Sequence, residues 1–206
     1  MPEKPDSNPA LPERLHAQFL DSAPNLRRCP PEGTPEVAFA GRSNAGKSSV
    51  LNCITGNKRM AKVSKTPGRT QLLNFFDIQT GGRVVDLPGY GYAKAGKAAQ
   101  SAWQAAVNEY LSNRESLSGL ILVMDIRHPD QTFDQELLSW AAASELPTRV
   151  LLNKADKLSY SKQQAALAKM RKSYKQHASI SLQTFSALKG TGKSELIGTL
   201  LEWLAD

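Results

Sequence analysis

The chain has 206 residues, 40% of them hydrophobic, and carries a formal net charge of +7. That length is sufficient to bury a core and favours a single globular domain. No apolar run approaches the ~20 residues of a membrane-spanning helix, so the composition excludes an integral helical membrane protein and no membrane partner is expected.

The first 22 residues are predicted to lie outside the main domain, which is expected to span residues 23–206. Residues 1–12 contain four prolines and predict a disordered tail, and Glu13–Leu20 is expected to form a short helix. The start of the chain lacks the apolar segment of a signal peptide, which predicts a cytoplasmic protein. Cys29 and Cys53 lack the spacing of metal ligands, and no disulfide is expected in a reducing compartment.

From residue 37 onward, short apolar runs alternate with segments whose apolar residues recur at helical spacing. This alternation predicts an α/β fold with a mostly parallel six-stranded sheet flanked by helices on both faces. The second and third runs are separated only by Gln79–Gly82, so they are expected to form an antiparallel hairpin with one strand at the sheet edge. The predicted strands are Val37–Ala40, Leu72–Ile78, Arg83–Asp86, Gly119–Asp125, Arg149–Asn153 and Ser179–Phe185.

A glycine-rich segment separates the first predicted strand from the first predicted helix. It fits the phosphate-loop pattern G-x-x-x-x-G-K-[ST]. The N–H groups that open the helix suit a phosphate, Lys47 is expected to reach the β- and γ-phosphates, and the Ser48 hydroxyl is expected to ligate Mg²⁺. The whole loop is therefore predicted to bind a nucleotide: Gly41, Arg42, Ser43, Asn44, Ala45, Gly46, Lys47, Ser48 and Ser49.

The segment Asp86-Leu87-Pro88-Gly89 follows the third predicted strand. A carboxylate at the carboxyl end of a strand suits Mg²⁺, so Asp86 is expected to hold the ion, with water between them. The N–H group of Gly89 is expected to contact the γ-phosphate. Alone, D-x-x-G is a weak signal, but after a phosphate loop it predicts that Asp86, Leu87, Pro88 and Gly89 belong to the nucleotide site.

The segment Asn153-Lys154-Ala155-Asp156 follows the fifth predicted strand and indicates guanine recognition. One carboxylate accepts both the N1–H and the 2-amino group of guanine, whereas adenine would leave the buried carboxylate of Asp156 unpaired. Asn153 either bonds the base or braces the phosphate loop, and Lys154 is expected to cover the base plane. The predicted substrate and product are thus GTP and GDP. The sixth strand is expected to supply the last contacts, including N–H groups for the guanine O6, from Phe185, Ser186 and Ala187.

Positive charge is concentrated in two stretches that contain no acidic residue. Gly56–Thr70 holds five basic residues and Lys157–Ser194 holds eight. A polyanion such as RNA is the expected partner, and two solvated lysine faces are the alternative. The first stretch lies where a nucleotide-sensing loop belongs, and Thr70 is expected to supply a second Mg²⁺ hydroxyl, with Thr66 as the alternative. Its predicted nucleotide contacts are Gly68, Arg69, Thr70 and Gln71.

Two positions indicate how fast the nucleotide would be hydrolysed. Tyr90 stands where many GTPases place a glutamine that orients water, so unaided turnover is expected to be slow. Asn44 lies two residues before Gly46, where its amide oxygen suits a monovalent cation such as K⁺ beside the phosphates. The alternative is that Asn44 only bonds the loop backbone. The residues expected to carry catalysis are Lys47, Asn44 and Thr70.

Together these motifs resemble the EngB family of bacterial GTP-binding proteins, also called YihA or YsxC. The matching stretches are V-A-F-A-G-R-S-N-A-G-K-S-S, T-P-G-R-T-Q, V-D-L-P-G-Y-G-Y-A, N-K-A-D and S-A-L-K-G. One departure is Asn153, where that family more often has Thr and most GTPases have Asn. The resemblance implies a Ras-like domain of the P-loop NTPase class and a Mg²⁺-dependent GTPase that assists large ribosomal subunit assembly.

The resemblance also implies a requirement in cell division and septation, and related GTPases with Asn at the Asn44 position use K⁺. The expected partners are GTP and a ribosomal subunit with its rRNA, and the protein is expected to be a monomer. Two other functions stay open from the residues alone. One is a nucleotide-gated binding module for rRNA or protein with negligible hydrolysis, and the other is a GTPase that acts on a membrane or protein partner.

Overall fold

The computed structural model describes residues 11–57, 60, 72–90 and 97–205, and only the backbone of 97–104. Within these ranges the chain forms seven strands, five α-helices and two single-turn 3-10 helices, Leu26–Arg28 and Ala155–Lys157. The strands are β1 (Ala17–Ala23), β2 (Glu36–Gly41), β3 (Leu73–Ile78), β4 (Arg83–Asp86), β5 (Leu117–Asp125), β6 (Thr148–Asn153) and β7 (Ile180–Thr184). The α-helices are α1 (Lys47–Thr55), α2 (Lys97–Asn113), α3 (Thr132–Ala143), α4 (Tyr160–Tyr174) and α5 (Lys193–Leu204).

The strands form one sheet in the order β1-β3-β4-β2-β5-β6-β7. In the part of the sheet ordered β4-β2-β5-β6-β7, adjacent strands run parallel. On the other side of β4, β3 pairs with it antiparallel. The predicted α/β class, the mostly parallel sheet and the hairpin are therefore confirmed. Because the carboxyl ends of parallel strands meet at one edge, the residues that follow β2, β4 and β6 come together there.

The predicted short helix at Glu13–Leu20 is wrong, and the sheet has seven strands rather than six. Residues 17–23 form β1, which runs antiparallel to β3 from the pair Ala17–Ile78 to the pair Ala23–Leu73. Without β1, the outer polar groups of β3 would be an open edge, and pairing them overrides a weak helical preference. The edge strand is consequently β1, and β3 is internal. The sheet therefore begins within the first 22 residues.

The core has two layers, one on each face of the sheet. Helices α2, α3 and α4 cover one face with buried residues such as Tyr110, Leu138 and Met170. Helices α1 and α5 cover the other with residues such as Ile54 and Leu200. Full burial of such side chains stabilises by about 1.5–3 kcal/mol each, so the layers hold the strand ends in place. No helix among the described residues is both long and apolar enough to cross a membrane.

A buried charge network fixes the amino end of β2, the strand that leads to the phosphate loop. Glu36 is fully buried, and its carboxylate lies 2.6 Å from the Arg114 guanidinium. The same carboxylate accepts a hydrogen bond of 2.9 Å from the Tyr110 hydroxyl and lies 3.5 Å from Arg83. Arg114 also bonds the carbonyl of Pro30, which holds the segment before β2 against α2. A buried carboxylate is stable only with such partners.

Candidate nucleotide-binding site

The phosphate loop connects β2 to α1 in a conformation that needs its two glycines. Gly46 is the residue before the first turn of α1 and has a φ of 98°, in the left-handed region that favours glycine. A Cβ on Gly41 would lie 2.6 Å from the carbonyl oxygen of Val123, so no side chain fits there. The loop therefore directs the free N–H groups of the first turn of α1 towards the space above the sheet, where an anion would be stabilised.

That space is a cavity of about 440 Å³. It brings together the phosphate loop, the segment that follows β4, and one residue of the Asn153–Asp156 motif. Two residues of the loop, Gly41 and Ala45, are buried and do not line the cavity. The cavity is lined by Arg42, Ser43, Asn44, Gly46, Lys47, Ser48, Ser49, Asn74, Asp86, Leu87, Pro88, Gly89 and Lys154.

The two charged residues at the floor of the cavity pair with each other. Lys47 and Asp86 are both buried, and the Lys47 ammonium donates a hydrogen bond to the Asp86 carboxylate. Each charge therefore compensates the other. An incoming phosphate would compete for Lys47, and a divalent cation would compete for Asp86.

The segment after β4 is joined to the phosphate loop through its backbone. The Ser43 N–H donates to the Tyr90 carbonyl at 2.7 Å, and the Leu87 N–H donates to the Phe39 carbonyl at 3.0 Å. A Cβ on Gly89 would lie 3.4 Å from the carbonyl oxygen of Gly41, so the two segments are in van der Waals contact. The two segments are therefore held side by side at this edge of the sheet.

The side chain of Tyr90 points away from the phosphate loop and into the layer between β4 and α3. Its hydroxyl donates a hydrogen bond to the buried Asp134 carboxylate, and its ring stacks on Phe133 at a centroid distance of 5.2 Å. Burial raises the pKa of the Tyr90 phenol above its ordinary value. The second oxygen of Asp134 accepts the N–H of Gln131 at 3.0 Å and closes the first turn of α3. Sequence analysis did not find this contact, because neither residue belongs to a motif that predicts the pair.

Asn153 joins the third motif to the phosphate loop. Its side-chain amide donates to the Ala45 carbonyl at 2.9 Å and accepts the Ala187 N–H at 3.3 Å. Lys154, whose φ is 64°, donates to the Asn44 carbonyl at 2.5 Å and pairs with Asp125 at 2.9 Å. Of the two roles that the sequence left open for Asn153, the structure shows the brace on the loop.

The Asp156 carboxylate lies beside the segment that follows β7. The Ser186 hydroxyl donates to it at 2.6 Å, and this hydrogen bond lowers the pKa of Asp156. The N–H of Ser186 already donates to the Thr191 carbonyl at 3.1 Å. The N–H of Ala187 makes a longer hydrogen bond, 3.3 Å to the Asn153 side chain, so it is the better donor for a base oxygen. The Phe185 side chain is fully buried in the core, which leaves only its backbone for this site.

One cavity residue was missed because it belongs to no sequence motif. Asn74 lies in β3, is buried and faces the cavity. Its side-chain oxygen accepts a hydrogen bond of 2.7 Å from the Ser22 hydroxyl of β1. The unexpected strand β1 therefore orients a polar group at the candidate site.

The predicted contacts from the sensing loop are not located by the structure. Gly68, Arg69, Thr70 and Gln71 lie outside the described residues, as does the alternative Thr66. The predicted second hydroxyl ligand of Mg²⁺ therefore stays a prediction. Of the three predicted metal ligands, Ser48 and Asp86 line the same cavity and both present oxygen atoms, the ligand type that Mg²⁺ prefers.

Comparison with known proteins identifies the class of this site. Residues 36–154 match the model of a family described as "50S ribosome-binding GTPase". A probable GTP-binding protein EngB of Colwellia psychrerythraea is 48% identical over 189 residues, which cover 91% of this chain and 84% of that protein. Its counterpart in Tolumonas auensis is 50% identical over 186 residues, which cover 90% of this chain and 88% of that protein.

The chain belongs to the EngB family of GTP-binding proteins. The resemblance read from the sequence motifs is therefore confirmed, and so is the P-loop GTPase class of the fold. A solved structure of a probable GTP-binding protein EngB is similar with a TM-score of 0.68 at 22% identity, covering 82% of this chain and 98% of that one. A structure of Era in complex with MgGDPNP and a segment of 16S ribosomal RNA has a TM-score of 0.60 at 23% identity, covering 85% of this chain and 58% of that one.

Proposed function

We propose that this EngB-family chain binds GTP with Mg²⁺, hydrolyses it slowly, and assists assembly of the large ribosomal subunit. The observation that carries the proposal is the single cavity onto which the phosphate loop, Asp86–Gly89 and Lys154 all converge. In a GTPase, these three parts hold the phosphates, respond to the γ-phosphate and flank the base. Membership of a GTP-binding family supports the same nucleotide.

The described residues fit a magnesium ion beside the phosphates. Ser48 would supply a hydroxyl and Asp86 a carboxylate, and Thr70 would supply a second hydroxyl from the sensing loop. The ion would offset the negative charge of the phosphate oxygens. Asp86 accepts a hydrogen bond from Lys47, so the two residues would separate when Lys47 binds phosphate and Asp86 binds the metal.

In hydrolysis, a water molecule attacks the γ-phosphorus in line with its bond to the bridging oxygen. That bond breaks as the new bond from water to phosphorus forms. Lys47 would stabilise the charge on the phosphate oxygens. Tyr90 cannot orient the water, because its hydroxyl bonds Asp134 and its ring packs on Phe133. With no glutamine in that place, intrinsic turnover is expected to be slow and to depend on K⁺ or on a partner.

Asn44 is the residue through which K⁺ would act. Among the described residues its side-chain amide has no hydrogen-bond partner, which counts against a purely structural role in the loop. We expect GTP hydrolysis in K⁺ to exceed that in Na⁺ by roughly fivefold or more, the rate equivalent of one contact of about 1 kcal/mol. In Asn44→Ala the two rates should become equal. Hydrolysis rates measured in matched KCl and NaCl test this, and equal rates in the wild type would contradict it.

The ribosomal partner is supported by the charge of α4 and by the name of the matching family. The basic residues Arg171, Lys172 and Lys175 are all exposed around the end of α4, within a stretch that contains no acidic residue. A polyanion such as rRNA suits that surface. We place the protein in the cytoplasm, where ribosomal subunits are assembled, and expect it to be a monomer. The link to cell division and septation is taken as a downstream consequence of that assembly role.

Co-sedimentation with purified large ribosomal subunits tests the proposal. The full chain should pellet with the subunits in a non-hydrolysable GTP analogue and less so in GDP. Binding that is absent in every nucleotide state would reject the ribosomal function while leaving GTP binding intact.

A second candidate is a nucleotide-gated binding module with negligible hydrolysis, which the position of the Tyr90 side chain favours. Hydrolysis measured with and without large subunits separates the two. Turnover that stays negligible in K⁺ with saturating subunits would favour the binding module.

A further inference from the structure

A second cavity, which we call the β7 cavity, lies at the end of the sheet opposite the nucleotide site. Its volume is about 480 Å³, and it borders the amino end of β7, the edge strand beyond β6. Arg149 stands second in β6 and Asn153 stands last, so about 13 Å of strand separates this cavity from the nucleotide site. A ligand at the β7 cavity would therefore leave the nucleotide cavity free. The side chains that matter here are Arg149, Arg171, Lys175, His177, Ser181 and Glu195.

The first basic side chain of the β7 cavity is held in place but only partly paired. One terminal nitrogen of Arg149 lies 2.6 Å from the Glu195 carboxylate and 3.3 Å from the Gln183 amide oxygen. Its Nε is buried and has no hydrogen-bond partner among the described residues. An unpaired buried donor costs about 1–3 kcal/mol, so the hydrogen-bonding capacity of the Arg149 guanidinium is not met by the residues around it.

The second basic side chain is also oriented by the fold. One terminal nitrogen of Arg171 donates to the Leu182 carbonyl of β7 at 3.3 Å, which covers the open edge of the sheet. A guanidinium has five N–H donors, so most of them remain for a ligand. Lys175 is exposed one turn further on, and His177 follows it at the rim.

The helix dipole explains only part of this arrangement. Cations are favoured in the last turn of a helix, which accounts for Arg171 and Lys175 at the end of α4. It does not explain why Arg149, from β6, converges on the same cavity. Three permanent positive charges face a single carboxylate, Glu195, which leaves the β7 cavity with a net positive charge.

We propose that the β7 cavity binds the phosphate groups of an RNA backbone. Two guanidinium groups match the paired oxygens of a phosphodiester, and Lys175 adds a point charge at the mouth. RNA is favoured over an acidic peptide because the His177 ring at the rim lies 6.4 Å from the Tyr174 ring, and this pair adds an aromatic surface that suits a base. The inference rests on the proposed ribosomal function and names the surface through which the chain would contact rRNA.

The test compares two double variants of α4 with the same change of charge. Arg171→Gln with Lys175→Gln removes two charges from the β7 cavity. Lys162→Gln with Lys169→Gln removes two exposed charges from the opposite flank of α4, outside the cavity. Each full-length variant, with a non-hydrolysable GTP analogue, is titrated into a fluorescein-labelled single-stranded RNA of 20 nucleotides across a range of KCl concentrations, and into large subunits.

The cavity variant should bind at least about tenfold more weakly, the equivalent of one charge-assisted hydrogen bond. The slope of log affinity against log salt should fall by roughly 0.7 for each phosphate that the variant no longer neutralises. The control should stay within about twofold. Equal weakening in both variants would show a diffuse charged surface and overturn the proposal.

The variant Glu195→Gln is expected to change RNA affinity in the opposite direction. The Glu195 carboxylate is more than half exposed, so removing its pair with Arg149 should cost little stability. RNA affinity should rise, because the single acid of the cavity is gone. Competition with polyglutamate of matched length checks the ligand class, and equal competition by RNA and polyglutamate would overturn the choice of RNA.

The outcomes separate this inference from the proposed function. If wild-type protein binds large subunits and the cavity variant binds them equally well, the β7 cavity is rejected while the ribosomal function stands. If wild-type protein binds neither RNA nor subunits, both are rejected. GTP affinity, measured in the same samples, should be unchanged in every variant, since none of the changed residues lines the nucleotide cavity.

Discussion

Asp156→Asn is expected to weaken GTP binding by roughly 10²–10⁴-fold and to create affinity for XTP. Asp156 would accept two charge-assisted hydrogen bonds from guanine, each worth about 1.5–3 kcal/mol. The Ser186 hydroxyl bond lowers the pKa of this carboxyl, so it is ionised at neutral pH and ready to accept both. Xanthine presents a carbonyl in place of the 2-amino group, and an amide can donate to it. Calorimetric titration of both nucleotides in Mg²⁺ measures the exchange.

Lys157→Gln is the matched control for Asp156→Asn. Lys157 lies 3.6 Å from the Asp156 carboxylate and is more than half exposed, so its replacement changes the charge beside the base without removing a base contact. GTP affinity should stay within about fivefold, since an exposed ion pair is worth ~1 kcal/mol at most. A variant Asp156→Asn that keeps wild-type GTP affinity and gains none for XTP would show that Asp156 does not read the base.

Lys47→Met is expected to reduce GTP hydrolysis by about 10²–10³-fold, the usual cost of removing one group that stabilises transition-state charge. It should also destabilise the nucleotide-free chain, because Asp86 would be left buried without its partner. Breaking a buried pair on one side costs about 3–5 kcal/mol, or roughly 6 °C or more in melting temperature for a domain of this size. Melting curves without nucleotide or Mg²⁺ measure the second effect.

A double variant separates the two roles of Lys47. Lys47→Met combined with Asp86→Leu removes both charges, so much of the stability should return while hydrolysis stays absent. Asp86→Asn alone should destabilise like Lys47→Met, since it leaves the ammonium unpaired. If nucleotide-free Lys47→Met melts at the wild-type temperature, the pair does not stabilise the empty site.

The parts of the candidate nucleotide site could be predicted from the sequence because each part is local in the chain. Gly41, Gly46 and Lys47 lie within seven residues, and their pattern is set by the backbone geometry that a phosphate needs. The alternation of apolar runs and helical patterns was equally informative, and each predicted strand appears near its predicted bounds. Both kinds of signal depend on neighbours in the chain rather than on tertiary contacts.

What sequence analysis missed depends on partners that are distant in the chain. The strand β1 has no alternating pattern, since most of its residues are exposed at the sheet edge, and only β3 makes it a strand. The contacts of Glu36 with Arg114 and of Tyr90 with Asp134 join residues that belong to no common motif. A lone buried acid gives no sign in the sequence of which base or hydroxyl will meet it.

The brace made by Asn153 also restricts how this chain can change over evolutionary time. A Cβ on Gly46 would lie 2.3 Å from the Asn153 amide nitrogen, which is held by its bond to the Ala45 carbonyl. No larger residue is therefore admissible at position 46, because its φ of 98° favours glycine and the braced amide occupies the space that a Cβ would need. Position 46 is expected to stay glycine in homologous sequences, whichever residue stands at position 153.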